Sequence, residues 1–363
     1  MNQTSLNRSF TTWSLLGFAA PSIIMMVFMS LYTIVDGIFI SRFVGSNALS
    51  SLNIVYPMIS VVIAIATMFA TGGNAIVSRY LGQGQEKQAR KALTEFVVIG
   101  VLISTVFAVL VILFENPICR FLGANDELMA DCKAYLTISM LFAPACTLQT
   151  LFQSYFVTAS RPGLGLWLTV AAGILNAVLD YVLIVQIPLG IAGAALATGF
   201  GQLLPAVVGL IFFAIPRKTL RFCRFSFRPR EIRDACINGS SEMIGQMAIA
   251  ITTFLFNIIL MRLAGSDGVA AMTILFYGQF LFNAFYLGFA IGIAPVVGYQ
   301  YGAGNRRELR KIYRISFLFT VISSIAMTAA SIILATPIVS VFTKELETFA
   351  LADAGFKIFA VNF

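Results

Sequence analysis

Two acidic side chains stand in segments where a charge is costly. Asp36 closes a stretch without charged residues that begins after Arg8, and Asp180 lies deep in the apolar segment 164–186. A carboxylate at membrane depth costs about 2.5–3.5 kcal/mol on insertion scales, so such a residue usually faces a cavity or a partner. Carboxyls of this kind exchange protons, and their oxygens are also suitable ligands for a hard cation such as Na⁺. The pair predicts a proton or cation site, whereas the alternative for Asp36 is an interfacial residue satisfied by water.

Further polar and helix-bending residues accompany the two acids. Asn176 precedes Asp180 by one helical turn, and Tyr32 stands in the same i, i+4 relation to Asp36, so each pair shares one helix face. Pro21 lies earlier in the Asp36 segment. Because proline lacks an N–H group and interrupts the helical hydrogen bonds, the helix that carries Asp36 can bend there.

Methionines on the same segment offer a soft surface. Met25, Met26 and Met29 precede Asp36, and the chain contains 33 phenylalanines. A polarizable, aromatic lining would suit bulky apolar cations of varied shape. Filling of the apolar core explains the same composition, so these residues are compatible with a substrate cavity without indicating one.

Enzyme chemistry finds little support in the chain. There is no histidine, and the five cysteines are scattered singly, which disfavours thiol–metal sites and excludes histidine catalysis. Glu95 and Glu242 lie close to basic segments, which favours solvated or ion-paired helix ends over a transport role. We predict no enzymatic activity and no cofactor.

The elements that must position these residues are membrane helices. Hydrophobic residues make up 59% of the chain and charged residues 11%, with a mean hydropathy of +0.89, which is typical of a protein that spans the bilayer repeatedly. The sequence predicts an all-α polytopic fold with helices near 14–40, 48–79, 91–114, 130–158, 164–186, 191–215, 233–263, 270–300, 308–334 and from 348 onward.

Basic residues fall in alternate loops. Of the 24 lysines and arginines, 18 lie on the side that holds Arg8, and such an excess marks the cytoplasmic side of a plasma-membrane protein. The N-terminus is therefore expected in the cytoplasm. The basic stretch from Arg217 to Arg233 indicates a loop facing anionic lipid, and nucleic acid is not an expected partner.

An internal repeat organises the chain. A shift of 220 residues superposes Arg42 on Arg262, Gly72 on Gly292 and Pro117 on Pro337 without a gap. Six predicted helices separate equivalent positions, so the two copies run in the same direction through the membrane. We expect a first lobe over 1–215, a basic inter-lobe loop over 216–232 and an incomplete second lobe over 233–363. The offset predicts a complete chain of about 440 residues.

This combination resembles the MATE (multidrug and toxic compound extrusion) family, in a DinF-like or related branch. Four segments carry the resemblance: Leu31 to Ile40, Gly45 to Pro57, Gly72 to Gly84, and Asn176 with Asp180. The resemblance implies two parallel six-helix lobes and a coupling-ion site, H⁺ or Na⁺, in the first lobe. It places that site at Asp36, Asn176, Asp180, Thr198 and Tyr32, the bend of helix 1 at Pro21, and a lobe-facing substrate contact at Gln153. Met25 and Met29, from the soft surface described above, complete the expected substrate cavity. By itself, Thr198 is a threonine that would bond its own backbone.

The expected function is antiport. Small organic cations or drugs would leave the cell in exchange for H⁺ or Na⁺ as the lobes rock about a central cavity. We expect a monomer in the plasma membrane of a bacterium or archaeon. A lipid-linked oligosaccharide flippase of the same superfamily is the alternative, although it would need several cationic residues in its cavity, and a channel is disfavoured by the repeat and the internal acid pair.

Overall fold

The first lobe is a set of helices whose bounds follow the apolar segments. The computed structural model describes residues 6–7, 9–216, 220–342 and 346–360. The helices up to the inter-lobe loop are α1 Thr12–Phe39, α2 Ser46–Gly82, α3 Glu86–Leu113, α4 Glu115–Phe121, α5 Met129–Leu141, α6 Ala143–Thr158, α7 Pro162–Asp180 and α8 Ile191–Ala214. Short π-helical turns, Ile40–Val44 and Tyr181–Gln186, follow α1 and α7. α3, α7 and α8 correspond closely to predicted helices.

The predicted helix 130–158 is broken. It forms α5 and α6, which meet at an angle of 51°. Pro144 occupies the first turn of α6, where a residue without an N–H group begins a helix well but cannot continue one. The short helix α4 was not expected from the sequence.

The second lobe begins with α9 Pro229–Gly302 and continues with α10 Arg306–Phe342 and α11 Leu346–Phe359. The sequence predicted two helices where α9 is hydrogen-bonded throughout, yet α9 is not a straight rod. A Cβ added at Gly72 would clash with Ala235, whereas one at Gly82 would clash with Tyr299. Gly72 and Gly82 are about 15 Å apart along α2, while 64 residues of straight helix would span about 96 Å. α9 therefore folds back, and its two arms correspond to the two predicted helices.

The two lobes meet through equivalent residues. A Cβ at Gly82 would clash with the carbonyl of Tyr299, and a Cβ at Gly302 would clash with the carbonyl of Arg79. Each of these contacts becomes the other when the 220-residue offset is applied. The turns that follow also match, because Gly84 has φ +72° and Gly304 has φ +69°, a left-handed conformation that glycine adopts without strain. The repeat is thus a pseudo-twofold relation in space.

The protein is a multi-pass membrane protein. Among the described residues, seven helices are long and apolar enough to cross a membrane, and the bent α5–α6 pair adds an eighth. Bulky apolar side chains such as Leu102, Trp167 and Ile325 lie exposed on the outside, as expected where lipid is the solvent. The α-helical two-lobe architecture predicted from the sequence is confirmed.

Candidate functional site

The two predicted acids come together inside the first lobe. Asp36 lies on α1 and Asp180 is the last residue of α7, and their carboxyls lie within hydrogen-bonding reach of each other. Asp180 is only 1% exposed. α7 can approach α1 closely because Gly173 has no side chain: a Cβ there would lie 2.8 Å from the Phe28 ring and 3.1 Å from the Tyr32 ring. The small residue at this position therefore helps to bring the acids into contact.

Both acids stand where an α-helix changes into a π-helical turn. The N–H of Ile40, the first residue of the turn after α1, bonds the carbonyls of Asp36 and Gly37. The turn after α7 starts immediately after Asp180. A π-helical turn is wider than an α-helical one and recurs at functional sites. These turns could not be predicted from the sequence, since apolar periodicity does not distinguish them from α-helix.

Two neutral polar side chains extend the acid pair toward α8. The Asn176 side-chain amide donates to the Thr198 hydroxyl over 3.5 Å, and Asn176 is 3% exposed. Gly201, one turn after Thr198, lets α8 pack against this position, because a Cβ there would already lie 3.3 Å from Asn176. The predicted set Asp36, Asn176, Asp180 and Thr198 is thus contributed by three packed helices, α1, α7 and α8.

Three carboxylate oxygens at this site are buried without a donor. Asp36 Oδ1 and both Asp180 oxygens accept no hydrogen bond from the described residues. Two carboxylates in contact cannot both keep a full charge away from water, so the pair calls for a shared proton or a bound cation. The atoms that could coordinate an ion at this site are oxygens. No group of three or more acidic, cysteine or histidine ligands occurs in the described part of the chain. This donor set fits H⁺ or a hard monovalent cation such as Na⁺ better than a transition metal.

Further polar side chains, which the sequence analysis did not single out, surround the acid pair. We call them, together with the acid pair, Asn176 and Thr198, the polar layer. Gln149 on α6 lies beside the Tyr32 hydroxyl. Tyr135 on α5 lies close to both carboxyls and to Ser139. The spacing of Gln149 and Gln153, one helical turn apart in an apolar helix, was an available signal, because amides at membrane depth need partners.

The residues predicted for the substrate cavity lie beside this layer. The Gln153 amide donates to Thr169 Oγ1 over 3.3 Å and approaches Met29 Sδ at 3.8 Å. Gln153 and Met25 are buried, at 6% and 1% exposure. Gln153 therefore bridges α1, α6 and α7 within the first lobe. A substrate role for Gln153, Met25 and Met29 stays a prediction.

The predicted hinge and the other carboxylates occupy different settings. Pro21 lies within α1, which continues past it. Glu95 is fully buried and paired with Arg228 at 3.1 Å, whereas Glu242 is exposed on α9. In the second lobe, Asp353 accepts from Thr336 and Lys357, each over 2.7 Å, so its charge is already balanced.

Comparison with known proteins decides the family. The MatE family model matches residues 21–182 and 243–362. The chain belongs to the MatE family. Proteins of the MATE family are membrane transporters, so this chain is a transporter and not an enzyme.

Relatives and solved structures agree with this placement. Multidrug export protein MepA of Staphylococcus saprophyticus is 24% identical over 85% of this chain and 69% of its own length. MepA of Staphylococcus haemolyticus is 21% identical over 95% of this chain and 76% of its own length. An outward-facing multidrug resistance MATE transporter of the MOP superfamily superposes with a TM-score of 0.90 at 19% identity, covering 99% of this chain and 82% of that one. The MATE fold is thereby established for this chain.

Proposed function

We propose that this MATE chain is a secondary active antiporter that exports bulky, mostly cationic organic compounds in exchange for H⁺ or Na⁺. The observation that carries the proposal is the contact between Asp36 and Asp180, whose buried oxygens lack donors among the described residues. An ion that occupies this pair neutralises it, and its departure restores the repulsion. Such a site couples ion occupancy to the packing of α1 against α7.

The relatives support the substrate class. Two staphylococcal relatives are named multidrug export proteins. The soft lining near the acid pair, with Met29 in contact with Gln153, suits apolar compounds of varied shape. Small organic cations or drugs are therefore the proposed substrates of a monomer in the bacterial or archaeal plasma membrane.

The proposed orientation places the basic loops in the cytoplasm. Arg79, Arg90 and Arg228 lie at the same end of the molecule as the reciprocal Gly82 and Gly302 contacts, and lysine and arginine accumulate on the cytoplasmic side. The lobes are packed together at this end. The structure then corresponds to a state that is closed toward the cytoplasm, and alternating access opens this end.

The flippase alternative is less well supported. A carrier for lipid-linked oligosaccharides would need cationic side chains in its cavity to hold phosphates. The described site contains two carboxylates and neutral amides and hydroxyls, and its excess charge is negative. Cations are better suited to it than phosphates are.

The experiment is transport by the purified chain in proteoliposomes. Ethidium movement is followed with a pH gradient and a Na⁺ gradient imposed separately, and protein-free liposomes serve as the control. Accumulation against the ethidium gradient, driven by one of the two ions, is the expected result. Ethidium movement that ignores both gradients would contradict antiport.

A further inference from the structure

Three described residues that precede α1, namely Leu6, Ser9 and Phe10, are docked on the opposite lobe. Gln300 Nε2 donates to the Leu6 carbonyl over 3.1 Å, and the Phe10 amide donates to Glu308 Oε1 over 2.6 Å. Ser9 Oγ lies 3.4 Å from both Glu308 Oε2 and Lys311 Nζ. We call Leu6, Ser9 and Phe10 the N-terminal latch. The N-terminal latch contacts the end of α9 and the start of α10.

The latch is buried rather than lying loosely on the surface. Leu6 and Phe10 are 0% exposed and pack with Val296 and Ile312 of the second lobe. Glu308 is 8% exposed, and Gln300 is 3% exposed. A buried carboxylate that accepts a backbone amide forms a strong, charge-assisted bond, and losing either partner leaves a buried polar group unpaired.

A second set of interlobe contacts, which together with the N-terminal latch we call the two clasps, occupies the pseudo-symmetric position. Tyr80 donates to Glu231 over 2.9 Å, and Arg228 donates to Gln88 over 3.2 Å. The offset of 220 residues converts Tyr80 into Gln300 and Gln88 into Glu308. The segment that leads into each lobe is thus held by the same two positions of the opposite lobe.

The two clasps differ in what precedes them. The linker strap, Leu220 to Arg228, runs along the first lobe before α9 begins. The Phe222 N–H donates to the Phe213 carbonyl over 2.8 Å, and the Cys223 N–H donates to Thr94 Oγ1 over 3.0 Å. Arg228 pairs with Glu95, for which the second lobe has the neutral Ile315. The linker strap is fastened to the first lobe at several points, so it can stay in place as the lobes move. The polar contacts of the N-terminal latch named above all reach the second lobe.

We propose that the N-terminal latch closes the basic end of the transporter, and that Leu6, Ser9 and Phe10 must leave Gln300 and Glu308 whenever this end opens. The linker strap serves as the pivot. The release step rests on the alternating access proposed above, whereas the bridging contacts do not.

The first test measures the distance between the lobes at the basic end. Lys87→Cys and Arg307→Cys place spin labels at exposed, pseudo-equivalent sites, in a background with the five native cysteines replaced. The Gln300→Leu/Glu308→Leu variant should raise the population with separated labels roughly three- to tenfold, because the interlobe bonds to Leu6, Ser9 and Phe10 are lost. Glu308→Gln keeps a neutral acceptor for Phe10 but loses the charge, so its distribution should fall between those of the parent and the double variant. Asp126→Leu, an exposed acid away from the latch, is the matched control, and an unchanged distribution in the double variant would overturn the latch.

The second test locks the latch covalently. Ser9→Cys and Lys311→Cys are joined by a short bis-methanethiosulfonate linker, and ethidium transport is measured before and after reduction. Transport should stop on linking and return on reduction, while each single cysteine variant remains active. Full transport by the linked protein would overturn the latch, whereas a reduced protein that never transports would instead count against the proposed function.

Discussion

The carboxyls of Asp36 and Asp180 lie within hydrogen-bonding reach of each other inside the first lobe, although α1 and α7 that carry them are far apart in the chain. Their shared environment leaves three buried oxygens without a donor among the described residues. An arrangement of this kind is costly unless a proton or cation completes it. Under the proposed function, this cost would link occupancy of the site to the packing of α1 against α7.

The Thr198 hydroxyl should contribute to the affinity of the coupling ion. Thr198→Val removes the acceptor of the Asn176 amide at nearly constant volume, and loss of a supporting partner of this kind typically costs about 10–100-fold in ion affinity. Thr198→Ser retains the hydroxyl and should behave like the parent. The measurement is the ion concentration that gives half-maximal ethidium transport. Equal values for the valine and serine variants would remove Thr198 from the site.

Gly173→Ala should separate α1 from α7. The added methyl group would lie 2.8 Å from Phe28 and 3.1 Å from Tyr32, and overpacking of this kind typically costs about 1–3 kcal/mol. Gly163→Ala on the same helix meets open space and is the matched control. Thermal unfolding in detergent together with transport should show losses for Gly173→Ala alone. Parent-like behaviour of both variants would mean that the close helix contact is unimportant.

Gly82→Ala and Gly302→Ala should have the same effect. Each methyl group would meet the backbone carbonyl of the equivalent residue in the other lobe, Tyr299 or Arg79. Backbone cannot rotate away as a side chain can, so the lobes must separate at the basic end. Spin-label distances across this end should lengthen in both variants and stay constant in Gly17→Ala, where the added methyl group meets open space. A response from only one glycine would contradict the pseudo-twofold relation.

Arg228 and Glu95 should be strongly coupled in stability. Glu95 is fully buried and Arg228 is 19% exposed, and removing one partner of a buried pair costs about 3–5 kcal/mol. Arg228→Met should therefore destabilise strongly, whereas Arg228→Met/Glu95→Leu should recover much of the loss. A double-mutant cycle of thermal unfolding measures the coupling. Additive effects would show that the pair is not important for fastening the linker strap.

The sequence was informative where a pattern has a single physical cause. Carboxylates in apolar segments predicted that Asp36 and Asp180 face a cavity or a partner, and the structure brings them together. The 220-residue offset predicted the equivalence that Gly82 and Gly302 display in their contacts. Helix positions followed from hydropathy. Helix positions and the cost of a buried carboxylate depend on the chemistry of the bilayer, which acts on each segment separately.

Features that depend on packing were not predictable from these patterns. The break between α5 and α6, the π-helical turns and the folding back of α9 concern helix continuity, which hydropathy does not report. The partner of Glu95 was unknown because Arg228 approaches it from a distant segment. Gln153 was expected at a lobe-facing contact, and only the packed helices show it bonded to Thr169.

The central claim is that Asp36 and Asp180 form the coupling-ion site, and gradient-driven transport tests it most directly. Ethidium accumulation in proteoliposomes is compared among the parent, Asp36→Asn, Asp180→Asn, the double variant and the exposed-acid control Asp126→Asn. We expect the gradient-driven rate of each single variant to fall at least about tenfold. The rate of the double variant should fall no further, because the effects of substituting residues that act as a unit are not additive. The control should match the parent. Gradient-driven accumulation at near-parent rates in both single variants would contradict the claim.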